Sequence, residues 1–181
     1  PIGFYTLNVR ILALAESHGL PLMTICNTCT LNVLDAHAAF MDDPKLARSI
    51  NVRLAEEGLH YSGDTRISHF LWVLHEDIGE QRLREMVVIP LTGMTVGAFY
   101  GCHITRPPAR YGFVDSRNNS ALEKLAEILG CEPIDYTGRN ECCGFHTAAH
   151  DEKVAIKLTG QHILSAKSGG AMAMVTPCPL C

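Results

Sequence analysis

Apolar residues along the chain alternate between helical spacing and short unbroken runs. In "FYTLNVRILALAESHGL" (4–20), Leu7, Ile11, Leu14 and Ala15 mark one face of a helix that stops at Gly19. "PLMTIC" (21–26) is too short for a helix and reads as a strand running straight into Cys26. Helical spacing resumes in "TLNVLDAHAAFM" and, after "DDP" (42–44), in a second stretch reaching Gly58. The spacing in "GDTRISHFLWVLHEDIGEQRL" predicts a helix capped by Asp64, with Ile67, Phe70, Leu71, Leu74 and Ile78 on its buried face. Trp72 and Met86 are expected in the core.

The second half repeats the alternation. "MVVIPLTGMTVGAFYGC" (86–102) is broken by Pro90, Gly93 and Gly97, so it reads as strand, turn, strand and not as a membrane span. Its last part, 94–102, delivers Cys102. "SALEKLAEILG" (120–130) is a helix closed by Gly130, and "CEPIDY" (131–136) is a strand. Then come a long helix over "DEKVAIKLTGQHILSAKSG", carrying Val154, Ile156, Leu158, Ile163 and Leu164, and a strand over "AMAMVTPC" (171–178). Strands alternating with helices predict an α/β fold with mainly parallel sheets and flanking helices. Three of the strands end on or near a cysteine, where open parallel sheets place their sites.

The 181 residues are 47% hydrophobic and 19% charged, enough for a packed core. A net charge of −4 without a run of Lys or Arg gives no footprint for nucleic acid. No charged-then-apolar leader opens the chain, which points to a cytoplasmic protein with no membrane span. The chain starts at Pro1 and stops on Cys181, so it is expected to be truncated at both ends.

Eight cysteines stand at 26, 29, 102, 131, 142, 143, 178 and 181. With nothing marking export, reduced thiols as metal ligands are favoured over disulfides. From Cys102 onward the pattern is C-x39-CC-x34-CxxC, with "CNTC" (26–29) as an earlier CxxC. Five thiolates are one too many for tetrahedral zinc and for an ordinary cubane. A cluster with several irons relieves the crowding at Cys142 and Cys143, and Gly144 lets the backbone pass close by. Zinc on four of the five is the plainer alternative, and "CNTC" alone also suits zinc or a redox pair. Cys131 falls outside the pattern and reads as structural.

The words "FYGCHITRPP" (99–108), "LGCEPIDY" (129–136), "ECCGF" (141–145), "LTGQHIL" (158–164) and "CPLC" (178–181) resemble the cysteine-rich CCG domain of the heterodisulfide reductase B subunit. That family carries two such domains in tandem. The resemblance implies the remainder of a first, incomplete domain over 1–85, closed by "CNTC", and a second over 86–181. It further implies a noncubane [4Fe–4S] cluster on Cys102, Cys142, Cys143, Cys178 and Cys181, and a second one using Cys26 and Cys29. Family members cleave a disulfide between two such clusters. Their electrons come from a C-type subunit with cubane iron–sulfur clusters and an A-type subunit containing FAD. Similar domains serve atypical succinate or fumarate dehydrogenases and glycolate or lactate oxidation systems, passing electrons to quinone. A zinc-stabilised docking module is the rival from another class.

His103, beside a ligand, is a candidate proton donor or an ordinary loop histidine. Arg106 is a candidate for binding an anionic substrate tail or for a surface ion pair. His146 and His150, four residues apart, have the spacing of a helical metal pair.

Overall fold

The structure, a computed structural model, describes residues 2–105 and 120–181. In the first half, α1 (Ile2–Ser17), α2 (Asn27–Asp42) and α3 (Pro44–Leu54) pack around a core of Val9, Leu12, Ala13, Val33, Ala36, Phe40, Ile50, Leu54 and Tyr61. The buried side of α1 is therefore Val9, Leu12 and Ala13, while Leu7 and Ile11 of the expected face are exposed. α1 is apolar on most sides, so its sequence pattern does not single out the face that α2 covers. α3 starts as its sequence suggests, with Asp43 accepting from the backbone N–H of Lys45 and Leu46 and Pro44 in the first turn.

β1 (Leu22–Thr24) pairs in parallel with β2 (Ile67–His69). This overturns the expected helix start at Asp64. Ile67 and its neighbours take ladder hydrogen bonds beside β1, and the helix begins only at α4 (Phe70–Trp72), which runs on as a wider π-type turn over Val73–Ile78. Its cap is His69, whose Nδ1 accepts from the Leu71 N–H at 3.1 Å. After α5 (Glu80–Met86) the expected strand before Pro90 does not form. Val88 and Ile89 are exposed, and the segment is tied down through the Leu91 N–H to the Leu129 carbonyl. Met86 is exposed and Trp72 is buried.

The second sheet is fully parallel, in the order β4 (Glu132–Ile134), β3 (Thr95–Ala98), β5 (Ala173–Val175). α6 (Ala121–Ile128) and α8 (Glu152–Ser168) flank it, with the short α7 (Phe145–Ala148) before α8. α8 buries Ala155 and Ala166 and leaves Val154, Ile156, Ile163 and Leu164 exposed. Small residues allow close approach: a Cβ on Gly97 of β3 would stand 3.4 Å from the Ala166 Cβ. A second core cluster joins Leu71 and Trp72 to Ala98, Tyr100, Ile104, Ala121 and Leu122, with Leu31 and Leu34 of α2 packed against it. The two halves thus share buried surface beside the cysteines.

Candidate metal centre

The cysteines gather at the carboxyl ends of the parallel strands. Cys26 follows β1, Cys102 follows β3, and Cys178 and Cys181 follow β5. Cys142 and Cys143 lie in the loop before α7. The arrangement follows from the topology, because parallel strands end on one side and their outgoing loops meet there.

Contacts link the thiols in a chain. Cys26 interacts with Cys29, and its Sγ lies 4.0 Å from that of Cys178. Cys178 pairs with Cys181, Cys181 with Cys143, and Cys102 with Cys142 and, through space, with Cys143. The structure therefore brings together all seven cysteines expected to be ligands, including "CNTC" from the first half. Cys131 lies apart, buried with Val96 and Ala126. A small pocket among the thiols is lined by Asn27, Thr28, Cys102, His103, Cys143 and Cys178, among others.

The electrostatics divide the thiols. Cys178 is pulled down to about 4 by the hydrogen bond from Cys181, against its burial, with help from the backbone N–H groups of Leu180, Asn27 and Thr28. Two of those three donors are the first residues of α2, so the Cys178 sulfur sits at the positive end of a 16-residue helix. Its partner Cys181 is pushed up, chiefly by sharing that hydrogen bond. Burial raises Cys26 to about 11, and burial together with Cys142 raises Cys102.

Several residues hold these loops that the sequence pattern does not mark. His69 is 2% exposed; its Nε2 donates to the Pro177 carbonyl at 3.1 Å while Nδ1 caps α4, so both ring nitrogens are engaged next to Cys178. Asn27 donates from Nδ2 to the Tyr100 carbonyl at 2.7 Å, tying α2 to the Cys102 loop, and its buried Oδ1 has no protein partner. Arg139 takes the Tyr100 and Gly101 N–H groups on its carbonyl and pairs with Glu123 at 2.6 Å, while Glu123 also accepts from the Tyr100 hydroxyl. A Cβ on Gly101, at φ +68°, would stand 3.0 Å from the Cys181 Sγ.

His103 sits at this site, its Nδ1 2.9 Å from the Thr28 Oγ1 and its ring 5.0 Å from that of His146. Burial, then the neighbouring His146, holds His103 below the usual histidine range. Arg106 lies outside the described residues. Gly144, at φ +93°, faces α8: its missing Cβ leaves room for the Ala155 backbone.

Among the described residues no group of three His, Cys, Asp or Glu side chains is disposed around a single ion. The donor set is all thiol, the ligand type iron–sulfur clusters most often use, and it extends along a row of neighbouring sulfurs around a pocket. That spread fits a group with several metal atoms.

Among the described residues no helix is long and apolar enough to cross a membrane. Residues 96–181 match the cysteine-rich domain model named CCG. The chain is 38% identical over its whole length to the 8-methylmenaquinol:fumarate reductase membrane anchor subunit of Wolinella succinogenes, of which it covers 62%. It is 34% identical to a protein of Archaeoglobus profundus that is like the heterodisulfide reductase B subunit, matching 99% of this chain and 62% of that one. It is 26% identical to the B subunit of a ferredoxin/F(420)H(2)-dependent CoB-CoM heterodisulfide reductase of Methanosarcina acetivorans, matching 95% of this chain and 58% of the relative. The chain thus spans about three fifths of the length of these relatives. A hypothetical protein of Helicobacter pylori shares the fold in its crystal structure, with a TM-score of 0.70 at 15% identity, over 98% of this chain and 31% of that one. Residues 96–181 are a CCG cysteine-rich domain, within an α/β chain homologous to the heterodisulfide reductase B subunit.

Proposed function

We propose that the chain is an iron–sulfur electron-transfer subunit of a multisubunit oxidoreductase. The observation carrying this reading is the row of seven neighbouring thiols at the strand ends. Cys102, Cys142, Cys143, Cys178 and Cys181 hold a noncubane [4Fe–4S] cluster, with Cys26 and Cys29 contributing to a second. Residues 1–85 then close a first CCG domain and 86–181 form the second. When bound, the cluster supplies one-electron chemistry. The chain's own residues supply placement: the α2 N-terminus supports the Cys178 thiolate, His69 fixes the loop before it, and Thr28 orients the His103 ring.

The substrate is a disulfide in the first reading, reduced with electrons from cubane iron–sulfur and flavin subunits. In this reading His103 donates the proton to a leaving thiolate and Arg106 binds an anionic tail. A second reading, electron exchange in a fumarate–quinol system, is supported by the 38% identity to the Wolinella succinogenes subunit across the whole chain. Anaerobic turnover of the native complex separates them. Reduction of a disulfide supports the first, and fumarate-linked oxidation of a menaquinol analogue without disulfide turnover supports the second. A complex inert in both assays, with zinc alone in this chain, overturns the electron-transfer proposal.

A further inference from the structure

Two adjacent cysteines pose a geometric problem. Along an extended backbone, successive side chains point to opposite sides, so neighbouring thiols diverge. At Cys142 and Cys143 the backbone is instead turned so that both carbonyls face the same helix. The Cys143 carbonyl accepts from the Thr159 Oγ1 at 2.6 Å, and the Cys142 carbonyl accepts from the His162 Nε2 at 3.0 Å. Gly144 follows, its Cα so near α8 that a Cβ would stand 2.9 Å from the Ala155 carbonyl oxygen.

The three contacts run in register. Gly144 meets Ala155, Cys143 meets Thr159, and Cys142 meets His162. Positions 155, 159 and 162 are spaced i, i+4 and i+7, which is one stripe of an α-helix. The stripe is itself fixed. Ala155 is buried, the His162 ring packs 5.2 Å from that of Phe99, and a Cβ on Gly138 would collide with the His162 Nδ1 at 2.6 Å. With their carbonyls engaged on the α8 side, the two sulfurs take backbone N–H groups two residues on, from Gly144 and Phe145, each at 3.4 Å. Cys142 reaches Cys102, and Cys143 reaches Cys181.

We propose that the Ala155–Thr159–His162 stripe of α8 is the template that sets the Cys-Cys-Gly segment, with Thr159 and His162 as positioning residues that aim the two thiolates into the metal centre. The cluster assignment comes from the function proposed above, while the template itself concerns the protein alone. Thr159 keeps its place by donating a hydroxyl, and His162 by donating from Nε2. The shape of either side chain without its donor is insufficient, because each carbonyl then loses its partner on α8.

The test uses Thr159→Val and His162→Phe, which keep shape and remove the donor, beside Thr159→Ser and His162→Gln, which restore one. Two readouts are taken on the full chain purified without oxygen: the EPR spectrum and midpoint potential of the metal centre, and the alkylation rate of each cysteine after chelator treatment, followed by peptide mass mapping. Valine and phenylalanine should shift the spectrum and potential, and should raise the labelling of Cys142 and Cys143 relative to Cys178 by roughly three- to tenfold, the factor expected for one lost hydrogen bond. Serine and glutamine should return both towards the parent. Should the parent carry no cluster, the function proposed above fails while the labelling ratios still decide the template. Should His162→Phe not fold, the Thr159 pair decides it. Unchanged labelling ratios in Thr159→Val, or a Thr159→Ser protein as altered as the valine one, overturn the proposal.

Discussion

Replacing Gly144 by alanine tests how tightly the cysteine pair is held against α8. Gly144 adopts φ +93°, and an L-residue forced into left-handed backbone costs about 1–2 kcal/mol. The added methyl would also stand 2.9 Å from the Ala155 oxygen and 3.0 Å from its Cα. Those are backbone atoms of a 17-residue helix, so no side-chain rotation relieves the contact. Overpacking of this kind costs about 1–3 kcal/mol. Together the two effects amount to about 2–5 kcal/mol, a large share of the ~5–15 kcal/mol that holds a domain folded. For a chain of this size the loss corresponds to a fall in Tm of roughly 4–20 °C. Gly160 supplies the control. It lies inside the same helix, where an added Cβ would meet nothing within 4 Å, so Gly160→Ala should stabilise by about 0.5–1 kcal/mol. Anaerobic thermal unfolding of both variants, with bound metal measured alongside, is the assay. A Gly144→Ala protein as stable as the parent, or stabilised as Gly160→Ala is, would refute the close approach of the cysteine loop to α8.

Cys102, Cys142, Cys143, Cys178 and Cys181 changed singly to serine should each lose or convert the metal centre, whereas Cys131→Ser should keep full metal content, as measured by elemental analysis. His69→Leu leaves the Pro177 carbonyl and the Leu71 N–H unpaired, so chemical denaturation should show a loss of about 2–4 kcal/mol. Burial holds His37 and His69 below the usual histidine value, so the unfolded chain binds more protons than the folded one as pH falls below about 6.5. Their contribution is complete above that pH and is lost on acidification, and His37→Gln should flatten the decline of stability between pH 7 and 5. If His103 donates a proton during disulfide reduction, His103→Ala should cut turnover by roughly 10²- to 10⁴-fold at full metal content. Since burial and His146 hold the imidazole below the usual histidine range, parent turnover should also rise as pH falls, and the alanine protein should lack that rise.

The strands that carry cysteines are legible in the sequence because short apolar runs between helices have few other readings, and parallel topology puts their ends together. The start of α4 is not. Ile67, Phe70, Leu71 and Leu74 keep helical spacing, but Ile67–His69 gains more from pairing with β1, a partner more than 40 residues away in sequence. The faces of α1 and α8 are hidden for a related reason. In α8 the buried positions are alanines facing glycines, and hydrophobic periodicity does not weigh close backbone approach. Within the site, the cysteine spacing carries the ligand candidates. The residues that hold them act by hydrogen bonds to backbone carbonyls, which impose no repeat on the sequence. Thr159 and His162 fall inside the word "LTGQHIL", and only the structure shows which carbonyls they meet. His69 is concealed in an apolar run that reads as an ordinary helix face.

Whether these thiols hold an iron–sulfur cluster is tested most directly by quantifying iron, acid-labile sulfide and zinc together with an EPR spectrum, on protein purified without oxygen. Iron and labile sulfide are expected in comparable amounts, with a paramagnetic signal that disappears or changes in Cys143→Ser. Stoichiometric zinc without labile sulfide, and no signal in any oxidation state, would contradict the assignment.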